Sequence, residues 1–209
     1  QNGGYPIAIA LSNDAVKLAV SMININEGSV KSTIAFYNYG TVGQNEIDHC
    51  VGVNNYDDMV IPEMEFTSND RMVAFGDTKA VIFEGVQKPQ AIAEIPMDEK
   101  TKSIFYNEHY IGIVTGNEDE AVTNHLAVYD ENGKLVMEKD FGLDYSSIEF
   151  LTNNEICIRN ANVCDIYTVH GVYKFHHEFE EELFEIIPGK LKLNYTLVLK
   201  DTTQRIRLK

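Results

Sequence analysis

The sequence is poor in several residue types that mark known kinds of site. It contains no tryptophan, five prolines and three cysteines in 209 residues. Three cysteines cannot build a disulfide framework. The turn between Cys157 and Cys164 predicts that these two residues lie opposite each other on a hairpin. Because a bridge between directly opposed strand neighbours strains the S–S geometry, we expect two free thiols.

Basic residues are also scarce. Only 17 lysines and arginines accompany 32 aspartates and glutamates, which gives a formal net charge of −15. Such a surface repels nucleic acids and anionic membranes, because binding to a phosphate backbone requires clustered lysine and arginine. The composition therefore excludes a nucleic-acid partner from the functions that we expect.

Long apolar runs are missing as well. No run of about 18 apolar residues is present, and the first residues contain no hydrophobic signal-peptide segment. The sequence starts at Gln1 rather than at Met. We therefore predict no membrane span in this chain, and we expect any membrane anchor or export signal to lie upstream of Gln1.

What the sequence does contain is a repeat. A short apolar strand, a polar turn and further short strands recur five times, and the last copy lacks its fourth strand. The turns begin at Ser12, Ser68, Asn107 and Asn153, with a looser one at Gly189. Their spacing brackets the roughly 40–50 residues of a propeller blade. The short runs are rich in Val, Ile, Phe and Tyr and are bounded by Gly, Asn and Asp, which is typical of strands.

These observations predict an all-β protein, a β-propeller of the WD40/YVTN-like type with about five four-stranded blades. We place the blades at residues 5–53, 60–96, 101–141, 145–180 and 183–209, the last one incomplete. They form a single propeller domain or the C-terminal part of one. Because propellers commonly close by pairing a strand from one terminus into the incomplete blade, we expect a larger propeller whose remaining strands precede this chain.

Three segments give sharper expectations. The first blade is expected to end with a strand at residues 47–51, which leaves 54–58 as a loop. Residues 174–185 fit either a helix or a strand, and alternation with period two around Phe175 favours a strand that leads into an acidic loop. The pair Asn132-Gly133 is expected to supply the positive φ angles of a tight hairpin.

The segment from Ala10 to Val20 carries a recognisable motif. It reads ALSNDAVKLAV and resembles the S-P-D-G-x-x-L-A-V signature between the first two strands of WD40-like and TolB-like blades, with Asn13 and Ala15 at the proline and glycine positions. As a whole, the chain resembles the extracytoplasmic propeller-like domain of a family of uncharacterised proteins from Gram-positive anaerobes. The resemblance implies a propeller fold, a cell-surface or membrane-anchored location and an upstream membrane anchor. It implies no activity and no functional residues.

Acidic side chains concentrate in the loops after the second and fourth strands, which emerge at one end of a blade. These loops contain the runs Glu118-Asp119-Glu120 and Glu180-Glu181-Glu182, whereas the opposite end carries bases such as Lys134 and Lys190. An acidic end suits Ca²⁺, polyamines or a basic peptide. The alternative is that acidic loops only keep an exported protein soluble.

Some of these loops combine carboxylates with an aromatic ring. That mixture suits a sugar or peptide site, and it occurs at residues 54–58 and at Asp144-Tyr145. The candidate ligand-binding residues are Tyr56, Asp57, Asp58, Asp98, Glu99, Asp144 and Tyr145.

An enzymatic alternative rests on two carboxylates. Glu65 and Glu149 occupy equivalent positions in the innermost strands of the second and fourth blades, and a propeller glycosidase needs such a pair beside its central channel. The other interpretation is two solvated side chains. His176 and His177 suggest a metal site, but adjacent strand residues point to opposite faces, so we expect structural histidines. The sequence contains no G-x-S-x-G elbow, Walker loop or H-E-x-x-H motif.

The sequence therefore predicts a non-catalytic binding or scaffolding propeller module that works outside the cytoplasm. Its expected partner is a protein or peptide, or else a glycan, and no cofactor or metal is expected. The alternative is a carbohydrate-active hydrolase that uses Glu65 and Glu149.

Overall fold

The computed structural model describes residues 4–26, 28–38, 49–85, 88–116, 124–142 and 144–208. Within these ranges the protein forms nineteen β-strands in five antiparallel sheets, each a simple meander in sequence order. The predicted all-β class is confirmed. The acidic run Glu118-Asp119-Glu120 and the predicted strand start at residues 47–48 lie outside the described residues.

The chain divides into two compact units, residues 1–99 and 100–209, which we call the amino unit and the carboxy unit. The amino unit has two four-stranded sheets. The first contains β1 (Tyr5–Leu11), β2 (Lys17–Asn26), β3 (Ser29–Asn38) and β4 (Cys50–Asp57). The second contains β5 (Glu63–Ser68), β6 (Arg71–Phe75), β7 (Lys79–Glu84) and β8 (Gln90–Pro96).

The carboxy unit has three sheets. The third sheet of the chain contains β9 (Thr101–Tyr106), β10 (Tyr110–Gly116), β11 (Asn124–Asp130) and β12 (Leu135–Phe141). The fourth contains β13 (Ser147–Phe150), β14 (Glu155–Asn160), β15 (Val163–Thr168) and β16 (Tyr173–Glu178). The fifth contains three described strands, β17 (Leu183–Pro188), β18 (Asn194–Leu199) and β19 (Thr203–Arg207).

The core of the amino unit forms where its two sheets pack face to face. Phe36 of β3 and Phe83 of β7 are fully buried, with ring centroids 5.1 Å apart. The buried hydroxyl of Ser21 donates to the carbonyl of Ile61 at 2.9 Å, in the connection between the sheets. Because a buried polar group needs a partner, this bond fixes the connection against β2.

The carboxy unit has two cores, one on each face of the fourth sheet. Successive residues of a strand point to opposite faces, so β14 is apolar on both sides. Ile156 and Ile158 pack with the third sheet, whereas Cys157 packs with Leu197 and other residues of the fifth. The fourth sheet is therefore the middle layer of this unit.

In each unit, the first turn of one sheet is linked to the first turn of the next, from the first sheet to the second and from the third to the fourth. Asp14 donates its N–H to Asn69 Oδ1 at 3.1 Å in the amino unit, and Asn107 Nδ2 donates to Asn154 Oδ1 at 2.8 Å in the carboxy unit. Within each unit these links align the same end of neighbouring sheets. Ala15, at the glycine position of the blade signature, has a φ of 57°, the left-handed conformation for which that glycine is used.

The last strand of the first sheet differs from the prediction. β4 covers Cys50–Asp57 instead of residues 47–51, and Tyr56 and Asp57 pair with Ser32 and Lys31 in the ladder. The predicted loop at 54–58 is therefore wrong up to residue 57. Asn and Asp are depleted in strands, which hid this strand, and the ten-residue β3 supplies its partners.

The hairpin after β11 is also built differently from the prediction. Gly133 has a φ of 74° and donates its N–H to the carbonyl of Asp130 at 2.9 Å, but Asn132 does not adopt a positive φ. The loop is a three-residue one that ends in a left-handed glycine. Gly171, with a φ of 77°, closes the turn after β15 in the same way. The strand predicted around Phe175 is confirmed as β16, and a loop follows it.

The two neighbouring cysteines are free thiols, both buried. The ladder pairs Cys157 with Ile166 and Cys164 with Arg159, so the predicted direct opposition is wrong. The two sulfurs nevertheless lie 3.7 Å apart on the diagonal. The hydrogen bond from Cys157 and burial raise the pKa of the Cys164 thiol. Cys164 is therefore a protonated, inert packing residue at neutral pH.

Candidate functional site

Tyr56 packs against the core of the amino unit. The Lys79 ammonium lies 5.7 Å from the centroid of its ring and forms an ion pair with Glu94 at 2.7 Å. Burial, with a smaller contribution from Glu94, raises the pKa of Tyr56 to about 12. The ring is therefore engaged inside its own unit, and its role in ligand binding stays a prediction.

The carboxylates predicted beside Tyr56 are exposed. Asp57 pairs with Lys31 at 3.1 Å, and Asp58 adopts a φ of 51° and donates its N–H to the carbonyl of Val30. Asp98 and Glu99 follow β8 and are exposed as well. All four follow or end a fourth strand, as the repeat predicts, and their binding role stays a prediction.

Tyr145 and Asp144 belong to the carboxy unit. The Tyr145 ring lies 5.7 Å from Phe141, and its hydroxyl is 2.7 Å from Ser103 Oγ, whereas Asp144 is exposed. Tyr145 therefore closes the core between the third and fourth sheets. The predicted ligand-binding residues are thus divided between the two units.

The two carboxylates of the glycosidase alternative, Glu65 and Glu149, have different surroundings. Glu149 accepts a hydrogen bond from Arg159 Nη2 at 2.7 Å, and the same guanidinium donates to the carbonyl of Phe184 in the fifth sheet. Glu149 is thereby part of a structural contact between sheets. Glu65 is exposed on β5 of the amino unit.

The two adjacent histidines of β16 have separate surroundings. His176 Nδ1 lies 2.8 Å from Asp165 Oδ1, whereas the His177 ring meets Phe179 edge-on with centroids 4.6 Å apart. In the part of the chain that the structure describes, no three His, Cys, Asp or Glu side chains are arranged to hold a metal ion. The described residues also contain no helix long and apolar enough to cross a membrane.

One groove of the carboxy unit gathers part of the predicted acidic surface. It has a volume of about 460 Å³ and lies where β16 ends, beside the end of β18 and the start of β19. We call it the acidic groove. Its lining consists of His177, Glu178, Phe179, Glu180, Glu181, Leu199 and Gln204.

A backbone clamp shapes this groove. Phe179 donates its N–H to the carbonyl of Asn162 at 2.8 Å, and Asn162 Nδ2 donates back to the carbonyl of Phe179 at 2.7 Å. The clamp and the burial of the Phe179 ring stop β16 and turn the chain. The following carboxylates are therefore presented on a short loop, with Glu180 exposed and Glu181 accepting the N–H of Asp201 at 3.2 Å.

The carboxylates of the acidic groove lack basic partners. Among the described residues, no lysine, arginine or histidine forms an ion pair with Glu178, Glu180 or Glu181. Several carboxylates elsewhere are paired, as in Arg71–Glu84 at 2.6 Å. The negative potential of the groove is therefore uncompensated, and a concave surface concentrates such a potential.

A second groove lies at the opposite end of the same unit. It has a volume of about 510 Å³, and we call it the lysine groove. On its floor, the buried Glu155 carboxylate accepts hydrogen bonds from Lys174 Nζ and, at 2.6 Å, from the Tyr195 hydroxyl. The lining consists of Asn153, Glu155, Lys174, Gly189, Lys190, Leu191, Lys192, Leu193 and Asn194.

The polar network of this floor was not predicted from the sequence, in which Glu155 ends the polar turn that begins at Asn153. The β15–β16 ladder pairs Ile166 with Phe175 and Tyr167 with Tyr173, so Lys174 is the extra residue of a β-bulge. A bulge re-aims side chains, and this one turns Lys174 towards the fifth sheet. Burial opposes its charge, but the bonds to Glu155 and Tyr195 raise the pKa of Lys174 overall.

Comparison with known proteins identifies the family. A family model described as a family of unknown function, DUF5711, matches residues 1–208. The chain belongs to this family. The predicted membership of a family without assigned activity is confirmed, whereas the Gram-positive source and the extracytoplasmic location stay predictions. A search of curated proteins finds no match.

Solved structures show the fold of this DUF5711 chain. The β-propeller domain of the Trilobed protease from Pyrococcus furiosus is 10% identical over 97% of this chain and 70% of that one, with a TM-score of 0.54. Sqt1 from Chaetomium thermophilum is 13% identical over 93% of this chain and 55% of that one, with a TM-score of 0.53. The Neurospora crassa Pan2 WD40 domain is 6% identical over 96% and 61%, with a TM-score of 0.50.

These neighbours confirm the β-propeller class, and the five sheets are its blades. The chain spans 55% of the length of Sqt1 and 61% of that of the Pan2 domain. At identities this low, the likeness concerns the fold alone and carries no partner or activity to this chain.

Proposed function

We propose that this protein is a non-catalytic binding module that holds a basic segment of a protein or peptide in the acidic groove. One observation carries the proposal: Glu178, Glu180 and Glu181 line a groove of about 460 Å³ and form no ion pair with any described residue. Carboxylates left without cations in a concave site are the natural complement of lysine and arginine side chains.

The floor of the groove suits the same ligand. The exposed His177 ring lines the groove with the carboxylates and meets the buried Phe179 ring edge-on. The apolar part of a lysine or arginine side chain can pack on the His177 ring. A volume in the range of roughly 300–1,000 Å³ is typical of ligand sites, which leaves room for a few side chains.

The hydrolase alternative has weaker support. Glu149 is tied to Arg159 and, through it, to the fifth sheet, so its contacts are those of a structural residue. A glycosidase needs a second carboxylate at a defined separation across the substrate. The acidic groove contains neither Glu65 nor Glu149, and we therefore propose binding rather than catalysis.

The test measures binding of a fluorescein-labelled hexapeptide of alternating lysine and glycine by fluorescence anisotropy. Removing two exposed ion pairs lowers affinity modestly, so Glu178→Gln/Glu180→Gln should weaken binding about five- to thirty-fold. The matched control Glu108→Gln/Glu185→Gln removes the same charge from exposed positions outside the groove.

Affinity of the control variant should stay within about two-fold of the parent. An equal loss of affinity in both variants would indicate general charge attraction and would refute the acidic groove as the binding site. If the parent protein hydrolyses a glycan and Glu65→Gln abolishes that hydrolysis, the result would support the hydrolase instead.

A further inference from the structure

We propose that the lysine groove is a second binding site, for a peptide segment that carries carboxylates beside apolar side chains. This site goes beyond the function proposed above, because the lysine groove lies at the other end of the carboxy unit and binds a ligand of the opposite charge. It therefore does not depend on the acidic groove being a site.

The groove is a positive region in an acidic protein. The whole chain has 17 basic and 32 acidic residues, yet three lysines and a single carboxylate line this groove. That carboxylate, Glu155, is already bound by Lys174 and Tyr195. Lys190 and Lys192 are exposed and form no ion pair with any residue that the structure describes. The groove therefore keeps a net positive charge for a ligand.

The floor has hydrogen-bond donors to spare. A lysine ammonium has three N–H donors, and Lys174 uses one on Glu155 and one on the Tyr195 hydroxyl at 3.3 Å. Its side chain keeps 21% exposure and lines the groove. Asn153 accepts the Glu155 N–H with Oδ1 at 3.2 Å, which leaves its NH₂ group without a described partner. Both groups suit a ligand carboxylate.

The rim offers apolar surface on an ordered turn. Leu191 is 74% exposed and Leu193 is 37% exposed. Gly189 donates its N–H to the carbonyl of Asn194 at 2.7 Å, and Asn194 donates its own N–H to the carbonyl of Leu191 at 3.2 Å. Leu193 also holds a φ of 65°, uncommon for leucine. The turn thus holds two leucines exposed to solvent, with Leu191 between Lys190 and Lys192 and Leu193 directly after them.

Charge complementarity decides the occupant. Carboxylates can pair with Lys190 and Lys192 while an apolar side chain packs against Leu191, so an acidic and apolar peptide satisfies both features of the rim. An anionic bilayer also attracts lysines flanking a leucine, but the net charge of −15 repels such a surface. The recessed donors at Lys174 also favour a side chain that enters the groove over a flat membrane.

The experiment uses the full chain and a fluorescein-labelled hexapeptide of alternating glutamate and leucine, followed by anisotropy. We expect saturable binding that Lys190→Gln/Lys192→Gln weakens about five- to thirty-fold, as expected for two exposed pairs. Leu191→Ser should weaken binding about three- to ten-fold through lost apolar contact. The matched control Lys200→Gln/Arg205→Gln, at exposed positions outside the groove, should change affinity less than about two-fold.

Three outcomes would overturn the proposal. Equal loss in the groove variant and the control would mean non-specific attraction. Equal affinity for a hexapeptide of alternating glutamine and leucine would mean that charge is not recognised. If the protein co-sediments with phosphatidylglycerol vesicles only when Lys190 and Lys192 are present, and does not bind the peptide, the surface is a membrane-binding one.

Glu178→Gln/Glu180→Gln should leave this peptide bound, which separates the site from the acidic groove.

Discussion

The two grooves of the carboxy unit differ in how their charges are held. In the lysine groove, Glu155 is buried and bound by Lys174 and Tyr195, so a charged network joins the fourth and fifth sheets. In the acidic groove the floor is the apolar Phe179, and Glu178 and Glu180 stand exposed at the rim.

This difference distinguishes charged groups that stabilise the fold from charged groups that can bind a ligand. A buried carboxylate is tolerated only with partners, because its desolvation costs several kcal/mol. An exposed carboxylate keeps its water and needs no partner. Glu155 is therefore a structural residue whose loss destabilises the unit, whereas Glu178 is dispensable for folding and free to bind.

Replacing one apolar residue in each groove gives the largest contrast. Phe179 is buried in the core between the fourth and fifth sheets, and Phe179→Ala should lower the free energy of unfolding by about 3–5 kcal/mol. Leu191 is 74% exposed, and Leu191→Ala should change it by less than about 0.5 kcal/mol. Urea titration followed by circular dichroism measures both. A cost above about 1 kcal/mol for Leu191→Ala would show that this leucine packs in the fold.

Neutralising one carboxylate in each groove gives the next contrast. Glu155→Gln should destabilise the protein by about 1–3 kcal/mol, below the full cost of breaking a buried pair because Lys174 is 21% exposed. Glu178→Gln should be neutral within about 0.5 kcal/mol. The same urea titrations measure both. Because Glu155→Gln/Lys174→Met removes both charges, it should cost less than the sum of the single changes, and additive costs would argue against the network.

The sequence predicted the parts of this architecture that depend on local signals. The turns at Ser12, Ser68, Asn107 and Asn153 follow from polar residues between apolar runs, and all of them connect paired strands in the structure. The choice of a strand around Phe175 followed from period-two alternation. Blade repeats are local units, so their rhythm is visible without knowledge of the tertiary structure.

The parts that failed depend on register or on tertiary packing. The fourth strand of the first sheet was predicted at residues 47–51, but β4 pairs Tyr56 and Asp57 with β3, a register that the residues of β4 do not indicate. The rings of Tyr56 and Tyr145 pack against cores, as expected when burial of a large ring stabilises the fold, and their binding role stays a prediction. The network around Glu155 requires the bulge at Lys174. The bulge arises from the pairing of β15 with β16, and no residue type in either strand indicates it.

Alkaline pH gives the smallest contrast, which concerns the network of Lys174 and Tyr195 in the lysine groove. Hydrogen bonds of the network raise the pKa of Lys174, and burial raises the pKa of Tyr195. Below about pH 10 both groups are protonated in the folded and unfolded states. As pH rises further, the unfolded chain loses these protons first, so the free energy of unfolding falls through the raised pKa values.

Lys174→Met should therefore lower stability near neutral pH and flatten the decline above about pH 10. Glu178→Gln/Glu180→Gln should leave the alkaline decline unchanged, because neither carboxylate belongs to the network of Glu155, Lys174 and Tyr195. Urea midpoints between about pH 8 and pH 11 measure both slopes. If the slope of stability against pH is unchanged in Lys174→Met, then Glu155 does not stabilise the Lys174 ammonium in the folded state. The two side chains on the floor of the lysine groove would then be in contact but not electrostatically coupled.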